Sequence, residues 1–544
     1  MLNRKFILET TEANTEQKEL DDLVRDLGGK RILLRDPCMA GTRIDILKQI
    51  EANIKSTDGR NVIWIRGSPG VGKSALAASI TAQLQDQNRH VIWFRFDRTQ
   101  YTTITTEALW RVVACGLAYR YPPLRRQLAH GNAELSSSNI DRLFEMLIEK
   151  PLSTLDGIPH EQLPVIVVDA LDECGGLRHD LSGRDDFGGL LRTLKRWALV
   201  GHLRKFKLII TSRPEDRITR IFPESISTHI NIPSGNDVEP GDSTSNDIRA
   251  FLKKRLEDAN MRDAWVSEAL DHLVPGAAGV FIWAKTAADF LQENPAPRFH
   301  LLKTRKQEDS TEGFKDLYSL YSTVAETSFQ NASKQEIEAI TSIMGAMIFT
   351  KQPLDDDALI RVMGVKSRDM LEFARRGLTS VIEPGPILHF HHKSFEDFLF
   401  SPSFLQAQPR LSGVQDRNLH ERQLAALCLN CMVSSDLHFN MCNLESSNIK
   451  NVDIPATVKT AISPLVSYSS TFWADHLVHI PCDEMSMEAV KFVLYEKLLF
   501  WIEVMSILGK THEVYTILRR VLEWPEMVVC PASISYSTNL RLTG

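Results

Sequence analysis

Residues 67–74, GSPGVGKS, combine three glycines with a lysine and a serine, between the apolar run NVIWI and a stretch of small residues. Glycines at these positions let the backbone curl so that its N–H groups point at phosphate oxygens, and the helix that follows adds its positive N-terminal end. Lys73 would reach the β- and γ-phosphates of a nucleoside triphosphate, and the Ser74 hydroxyl would ligate Mg²⁺. The residues predicted to hold the nucleotide are Gly67, Ser68, Pro69, Gly70, Val71, Gly72, Lys73 and Ser74.

An acidic cluster follows a second apolar run, in VIVVDALDEC at residues 165–174. Asp169 closes the run, where its carboxylate would hold Mg²⁺ through water opposite Ser74. Asp172 and Glu173 lie just beyond it, placed to orient or deprotonate an attacking water. An acidic cluster after a strand is often only a solvated loop, but its pairing with a phosphate-binding loop favours the catalytic role.

A third apolar run, KLIITS at residues 207–212, is followed by Arg213. Ligands of an open α/β sheet bind beyond the carboxyl ends of its strands. Arg213 would therefore point toward the γ-phosphate, where a guanidinium can detect whether that phosphate is present. The alternative is a surface arginine that precedes a turn at Pro214.

The elements that must position these residues alternate along residues 40–232. Continuous apolar runs, at 61–65, 90–96, 165–169 and 207–212, alternate with helix-like stretches. This pattern predicts an α/β P-loop core with a parallel sheet covered by helices on both faces. An acidic residue beside the Mg²⁺ aspartate, on a strand not adjacent in sequence to the loop, is typical of ATPases. No guanine-reading motif of the Asn-Lys-x-Asp type is present, so ATP is favoured over GTP without excluding GTP.

The bulk composition is that of a multidomain soluble protein: 544 residues, 43% hydrophobic and 24% charged. A net charge of -6 gives no reason to expect nucleic acid or an anionic membrane as the main partner. We find no signal peptide and no apolar stretch that suits a membrane span, which predicts a cytoplasmic protein. Its eight scattered cysteines would then be reduced.

Several motifs, in order, resemble those of the NACHT class of STAND signalling NTPases, most closely the large fungal members with a nephrocystin-3-like NTPase. The core motifs are CMAGTR (38–43), GSPGVGKS, VIVVDALDEC and FKLIITSRPE. GAAGVFIWAKTAADFL (276–291) is similar to the family's first helical domain. KQPLDDDALIRVMGV and HHKSFEDFLFSP are similar to its winged-helix domain, and the helical sequence beyond them is similar to the segment that follows.

The resemblance, together with a polar stretch at 233–247, divides the chain into six predicted segments. They are a short lead-in (1–35), a NACHT NTPase domain (36–232), a linker (233–247), a helical domain (248–312), a winged-helix domain (313–402) and a C-terminal helical domain (403–544). Neither an N-terminal effector domain nor C-terminal β-propeller repeats, both frequent in the family, is recognised, so the chain is expected to be a fragment or a shortened relative.

Two further nucleotide contacts are implied by the resemblance alone. Arg43 would form part of the adenine pocket. Capping of the next helix by Thr42 explains the same residues equally well, and both roles could hold. His392 would be the winged-helix histidine that contacts the β-phosphate of bound ADP, with His391 as the nearest substitute. The alternative is that His389, His391 and His392 alternate along a strand, with SFEDFLF as the following core helix. Alternation would send His391 and His392 to opposite faces.

The resemblance implies a nucleotide-dependent signalling switch that hydrolyses ATP slowly with Mg²⁺, self-associates on activation and works with unknown protein partners. A degenerate scaffold that binds nucleotide without turnover is a second hypothesis, and an AAA+-like mechanical ATPase is a third. The presence of Lys73, Asp169 and Glu173 argues against degeneration, and the lack of a second arginine motif argues against the machine.

The motif CLNC at residues 428–431 could suggest a redox or zinc site. Its apolar neighbours have helical spacing and no βαβ pattern surrounds it, so we predict buried cysteines on a helix.

Overall fold

The computed structural model describes residues 36–57, 60–97, 105–129, 139–155, 158–174, 186–259, 261, 263–304, 313–364, 368–383, 385, 387–446, 449, 454 and 460–527. The predicted lead-in, residues 1–35, lies outside the described residues. The chain forms two compact units, one of residues 1–330, 377–383 and 390–408, the other of residues 331–376, 384–389 and 409–544. The predicted winged-helix segment, 313–402, contributes to both units, and its boundaries stay a prediction.

The regular elements follow one another in the order that the apolar periodicity predicts for the core, with helices throughout the rest. The strands are β1 Val62–Arg66, β2 Val91–Arg95, β3 Val165–Asp169, β4 Lys207–Ser212 and β5 Ser227–Asn231. The helices are α1 Ile44–Lys55, α2 Lys73–Asp86, α3 Thr106–Arg120, α4 Pro122–Ala129, α5 Ile140–Phe144, α6 Lys150–Ser153, α7 Asp186–Leu199, α8 Asp216–Ile221, α9 Ser243–Asp258, α10 Asp263–Ala277, α11 Phe281–Glu293, α12 Pro295–Thr304, α13 Gly313–Phe329, α14 Lys334–Phe349, α15 Asp356–Met363, α16 Arg368–Leu378, α17 Lys393–Leu399, α18 Pro402–Ala407, α19 Arg417–Val433, α20 Pro464–Leu477, α21 Glu484–Phe492, α22 Leu498–Ile507 and α23 Thr511–Met527.

Short helical turns occur between these elements. The π-helical turns are Glu145–Glu149 and Val493–Lys497, and the 3₁₀ turns are His160–Gln162, Leu171–Glu173, Gly201–Leu203, Gly235–Asp237 and Pro409–Gln415.

The five strands form one parallel sheet in the order β2-β3-β4-β1-β5. All four predicted runs are strands of this sheet, which confirms the parallel α/β core. The fifth strand, β5, was not predicted, because its sequence STHIN is short and polar and lies at the sheet edge. β4 separates β1 from β3, so the strand that ends in Asp169 does not neighbour the strand that leads into residues 67–74.

Both faces of the sheet are buried. Side chains of one face pack with α3, α5 and α7 in a core where the rings of Trp110 and Trp197 stack at 6.0 Å. On the opposite face, α1 contacts β1 and β5, and α2 contacts β2, β3 and β4. Burying each large apolar side chain contributes roughly 1.5–3 kcal/mol. The sheet therefore forms a stable platform whose strand ends hold the predicted site residues.

The second unit is helical in its described part, and α19 and α20 pack together. Trp473 of α20 and Trp501 of α22 are fully buried and meet edge to face at 5.8 Å. Beside them, the buried His476 bridges the Glu421 carboxylate through Nδ1 and the Tyr468 hydroxyl through Nε2, at 2.7 Å each.

Across the described residues of both units, no helix combines the length and apolar character needed to cross a membrane.

Candidate nucleotide-binding site

Residues 67–74 form a loop between β1 and α2 whose shape depends on two glycines. Gly70 and Gly72 have φ values of 77° and 95°, in the left-handed region that side chains disfavour. Gly72 is the N-cap of α2 and provides no side-chain cap. The first N–H groups of α2 are therefore suited to an anionic ligand such as phosphate.

Lys73 bends back over this loop. Its Nζ donates hydrogen bonds to the carbonyl oxygens of Gly67 and Ser68, at 2.9 Å each. Burial lowers the pKa of Lys73 to about 8, although the nearby Asp172 acts in the opposite direction. These two bonds pair the positive ammonium group only with neutral carbonyl groups. A phosphate, which is negatively charged, would be a much stronger partner for it.

Asp169 is completely buried at the end of β3. Its Oδ1 accepts a hydrogen bond from the Thr211 hydroxyl, which in turn accepts one from the Ala170 N–H at 2.9 Å. Its Oδ2 is buried and has no hydrogen-bond partner within the described part of the chain. A buried carboxylate oxygen with unused lone pairs fits the oxygen ligands that Mg²⁺ prefers, and Ser74 lies in the first turn of α2. The residues present therefore fit the metal that the sequence predicts.

Asp172 and Glu173 lie on the 3₁₀ turn that follows β3. Asp172 accepts a hydrogen bond from the Arg213 N–H at 3.1 Å and forms an ion pair with the Arg213 Nε at 3.3 Å. Burial alone would raise the pKa of Asp172, but Lys393, Lys73 and Arg213 outweigh it and lower that pKa. Burial raises the pKa of Glu173. The two carboxyl groups therefore differ in character, with Asp172 the more firmly ionised.

Arg213 joins this acidic turn to α17. Its guanidinium donates a hydrogen bond to the Asp397 carboxylate at 2.7 Å and is only 14% exposed. One turn earlier in α17, Lys393 donates to the Asp172 carbonyl oxygen at 3.4 Å and lies 3.8 Å from its carboxylate. Neither Lys393 nor Asp397 was predicted from the sequence as a site residue. Their spacing of four residues, with opposite charges on one helix face, was the available signal.

Arg43 contacts the backbone of the loop formed by residues 67–74. Its guanidinium donates to the Val71 carbonyl oxygen at 2.9 Å and lies 4.8 Å from the centre of the Phe281 ring. The alternative, in which Thr42 caps α1, is wrong: Arg43 is the N-cap and lacks a side-chain cap, and the Thr42 hydroxyl donates to the Met39 carbonyl oxygen. The geometry brings Arg43 to the loop backbone, and its proposed contact with a base stays a prediction.

His392 is the N-cap of α17. Its Nδ1 accepts a hydrogen bond from the Ser394 N–H at 3.1 Å, so a neutral imidazole carries its proton on Nε2. The Nε2 of His391 instead accepts from the Lys285 ammonium at 2.9 Å. The alternative that these histidines alternate along a strand is wrong, because the only pairing described here is one isolated bridge between Ile382 and Phe390.

The stretch predicted as a linker, 233–247, is structured and contacts the loop. The Ser234 hydroxyl donates to the Ser68 hydroxyl at 2.9 Å, and α9 already begins at Ser243. The Gly235 N–H donates to the Ala278 carbonyl oxygen at 2.8 Å. The polar composition predicted a loop over 233–247, but residues 243–247 belong to α9. The composition also could not reveal that this stretch binds the Ser68 hydroxyl and the Ala278 carbonyl oxygen.

The cysteines of the CLNC motif are buried in α19, and burial raises the pKa of both Cys428 and Cys431. Within the described ranges, no group of three or more histidine, cysteine, aspartate or glutamate residues could hold a metal ion. The motif is therefore part of the helical core, as predicted.

Solved structures that are similar to this chain include distant likenesses. A Walker-type ATPase of Pyrococcus abyssi is 13% identical with a TM-score of 0.33, covering 67% of this chain and 98% of that one. The structure of Drosophila ORC bound to DNA is 14% identical with a TM-score of 0.30, covering 70% and 92%.

Comparison of sequences is more informative. Residues 41–213 match the family model described as nephrocystin 3, N-terminal. The vegetative incompatibility protein HET-E-1 of Podospora anserina is 22% identical over 510 residues, which are 85% of this chain and 34% of that protein. The chain thus spans about a third of the length of that relative. These two matches support a nucleotide-binding NTPase and confirm the predicted resemblance to the fungal NACHT-like NTPases.

Proposed function

We propose that this chain is a nucleotide-dependent signalling switch. It binds ATP, or less favourably GTP, together with Mg²⁺, hydrolyses it slowly, and changes conformation and self-association as the nucleotide is spent. The printed name of its fungal relative, a vegetative incompatibility protein, supports a role in incompatibility-type signalling.

The observation that carries this proposal is the pair of ionic contacts between the acidic turn and α17. Arg213, the proposed γ-phosphate sensor, is bound to Asp397, and Asp172 is bound to Lys393. A γ-phosphate would compete with Asp397 for the same guanidinium, because both are oxyanions that pair with arginine. Arrival or loss of that phosphate would therefore change how α17 is held, which a plain hydrolase does not need.

The residues of the site would divide the chemistry as follows. Residues 67–74 bind the phosphates through backbone N–H groups and the Lys73 ammonium. Ser74 and Asp169 hold Mg²⁺, which neutralises phosphate charge when it is bound. Glu173 and Asp172 would position the attacking water. The ion pairs with Arg213 and Lys393 would restrain the Asp172 carboxylate, consistent with slow turnover.

His392 and Arg43 would complete the nucleotide contacts. With Nδ1 of His392 used by the α17 cap, Nε2 is the ring donor that would bind the β-phosphate of ADP. Arg43 would border the base. Residues 248–312, 313–402 and 403–544 would be the helical, winged-helix and C-terminal helical domains, and open molecules would self-associate.

The test uses the purified chain loaded with ADP or with a non-hydrolysable ATP analogue. We expect a larger mass with the analogue, and we expect Asp397→Asn to self-associate at a lower analogue concentration, since Arg213 is released. Asp271→Asn, which removes a carboxylate from an exposed pair with Arg249, is the matched control.

Two outcomes would refute the switch. The first is one mass distribution in both nucleotides for the wild type and for Asp397→Asn. The second is unchanged nucleotide affinity in Lys73→Ala, which should bind at least ~10-fold more weakly. Glu173→Gln tests turnover separately, and we expect it to bind nucleotide but to hydrolyse it more slowly.

A further inference from the structure

Arg95 is a half-buried cation beside Asp169 that the proposed nucleotide chemistry does not use. It is the last residue of β2, and the parallel register pairs it with Asp169 at the end of β3. Paired residues of neighbouring strands project from the same face of a sheet, so the two side chains lie side by side. The Arg95 side chain is 14% exposed, and its Nε lies 3.6 Å from the Asp169 Oδ2.

The Arg95 Nε and the Asp169 Oδ2 face each other in this ion pair. Among the residues that the structure describes, neither the Arg95 Nε nor the Asp169 Oδ2 has a hydrogen-bond partner, although both atoms are buried. The separation of 3.6 Å is too long for a direct hydrogen bond but short enough for a strong electrostatic attraction at low dielectric. The contact is thus an ion pair held by charge, in which the carboxylate oxygen keeps its lone pairs available.

The need for such a cation follows from the charges around it. Three carboxyl groups, those of Asp169, Asp172 and Glu173, follow one another within five residues. Asp172 has Arg213 and Lys393 as counter-ions, whereas the ion pair described for Asp169 is with Arg95. The Arg95 charge also opposes the burial that raises the pKa of Glu173, and Lys73 interacts with Asp169 from the loop. A buried carboxylate without a counter-ion is strongly destabilising.

We propose that Arg95 is the resident counter-ion of Asp169: it neutralises and orients this carboxylate while no metal is bound, and it yields Oδ2 to Mg²⁺ when the metal arrives with nucleotide. The inference rests on the proposed function, because that proposal makes Asp169 the metal-binding carboxylate. A guanidinium is monovalent and only weakly hydrated, so a divalent ion that also contacts phosphate displaces it, whereas the metal alone competes poorly.

The consequence is that Arg95 couples metal binding to nucleotide binding. Removing its charge, as in Arg95→Gln, should let Asp169 bind a divalent ion in the absence of nucleotide. Mn²⁺ is a suitable probe, because its paramagnetism reports the free ion directly. We expect Arg95→Gln to bind Mn²⁺ at least about tenfold more tightly than the wild type, both nucleotide-free.

Three further variants make this test specific. Arg95→Lys keeps a cation and should bind Mn²⁺ as weakly as the wild type. Arg95→Gln combined with Asp169→Asn should lose the gained affinity. Arg192→Gln removes a charge from an exposed pair with Asp141 and should change nothing.

Equal Mn²⁺ affinity in the wild type and Arg95→Gln, or a gain that persists in the double variant, would overturn the proposal. If Arg95→Gln does not fold, the double variant should fold again because the unpaired charge is gone, and failure of both would show a packing role instead. Failure of the proposed function would be seen in a different measurement, because the wild type would then not bind nucleotide.

Discussion

Raising the pH through 8 should weaken nucleotide binding through Lys73. Burial lowers the pKa of this ammonium group to about 8 in the nucleotide-free protein. Bound phosphate would favour the charged form and raise the pKa again, so binding above pH 8 requires uptake of a proton. The affinity is therefore fully present below pH 8 and is lost as the pH rises through the lowered pKa.

The size of the effect follows from that value. With a pKa of about 8, Lys73 is about 90% charged at pH 7 and about 10% charged at pH 9. The dissociation constant should then rise about tenfold over this interval, equivalent to about 1.4 kcal/mol. An ordinary lysine, with a pKa near 10.4, would lose almost nothing over the same range.

Titration calorimetry measures both quantities. At pH 8.5, in buffers of different ionisation enthalpy, we expect uptake of about three quarters of a proton per nucleotide bound. Lys73→Arg is the control, because a guanidinium keeps its charge throughout and should bind with an affinity independent of pH. A flat profile for the wild type, without proton uptake, would refute the assignment of Lys73 as the phosphate-binding cation.

Three other substitutions test the supports of the fold and site. Gly70→Ala should abolish nucleotide binding and lower the unfolding temperature more than Gly72→Ala, because both carry left-handed strain of about 1–2 kcal/mol but only a Cβ at position 70 overlaps Ile282. Thr211→Val, which removes the hydroxyl bound to Asp169, should slow hydrolysis about tenfold while nucleotide binding persists, and equal rates would contradict this. Tyr468→Phe, which removes the hydroxyl that bonds His476 and accepts from the Lys351 N–H, should reduce the free energy of unfolding by about 1–3 kcal/mol in a denaturant titration, and a change near zero would show that these two buried contacts contribute nothing.

The sequence was sufficient to predict the parts of the site that depend on local pattern. Residues 67–74 and Asp169 lie at strand ends where the alternation of apolar runs and helices requires them. Arg213 also lies at the end of its predicted strand. These predictions succeed because a buried parallel strand needs a continuous apolar run, and such runs are visible without knowledge of the fold.

The long-range contacts could not be predicted. The partner of Arg213, Asp397, lies 184 residues further along the chain, and nothing in either local sequence names the other. The contact of Arg95 with Asp169 could not be predicted either, because it depends on strand order and register. His392 was predicted to contact a nucleotide phosphate, with a strand along which His389, His391 and His392 alternate as the alternative, but the local sequence did not reveal that His392 is the N-cap of α17.

The phosphate-binding loop also sets a minimum length for an autonomous fragment. Its outer side is held by Arg43 through the Val71 carbonyl, by Ser234 through the Ser68 hydroxyl, and by the Ile282 N–H through the Gly70 carbonyl at 3.0 Å. Two of these three contacts come from residues beyond 232, namely Ser234 and Ile282, and residue 232 is the predicted end of the sheet domain. A fragment ending there would contain every phosphate-binding residue and still lack the scaffolding that shapes them, so the smallest useful expression fragment extends through α11.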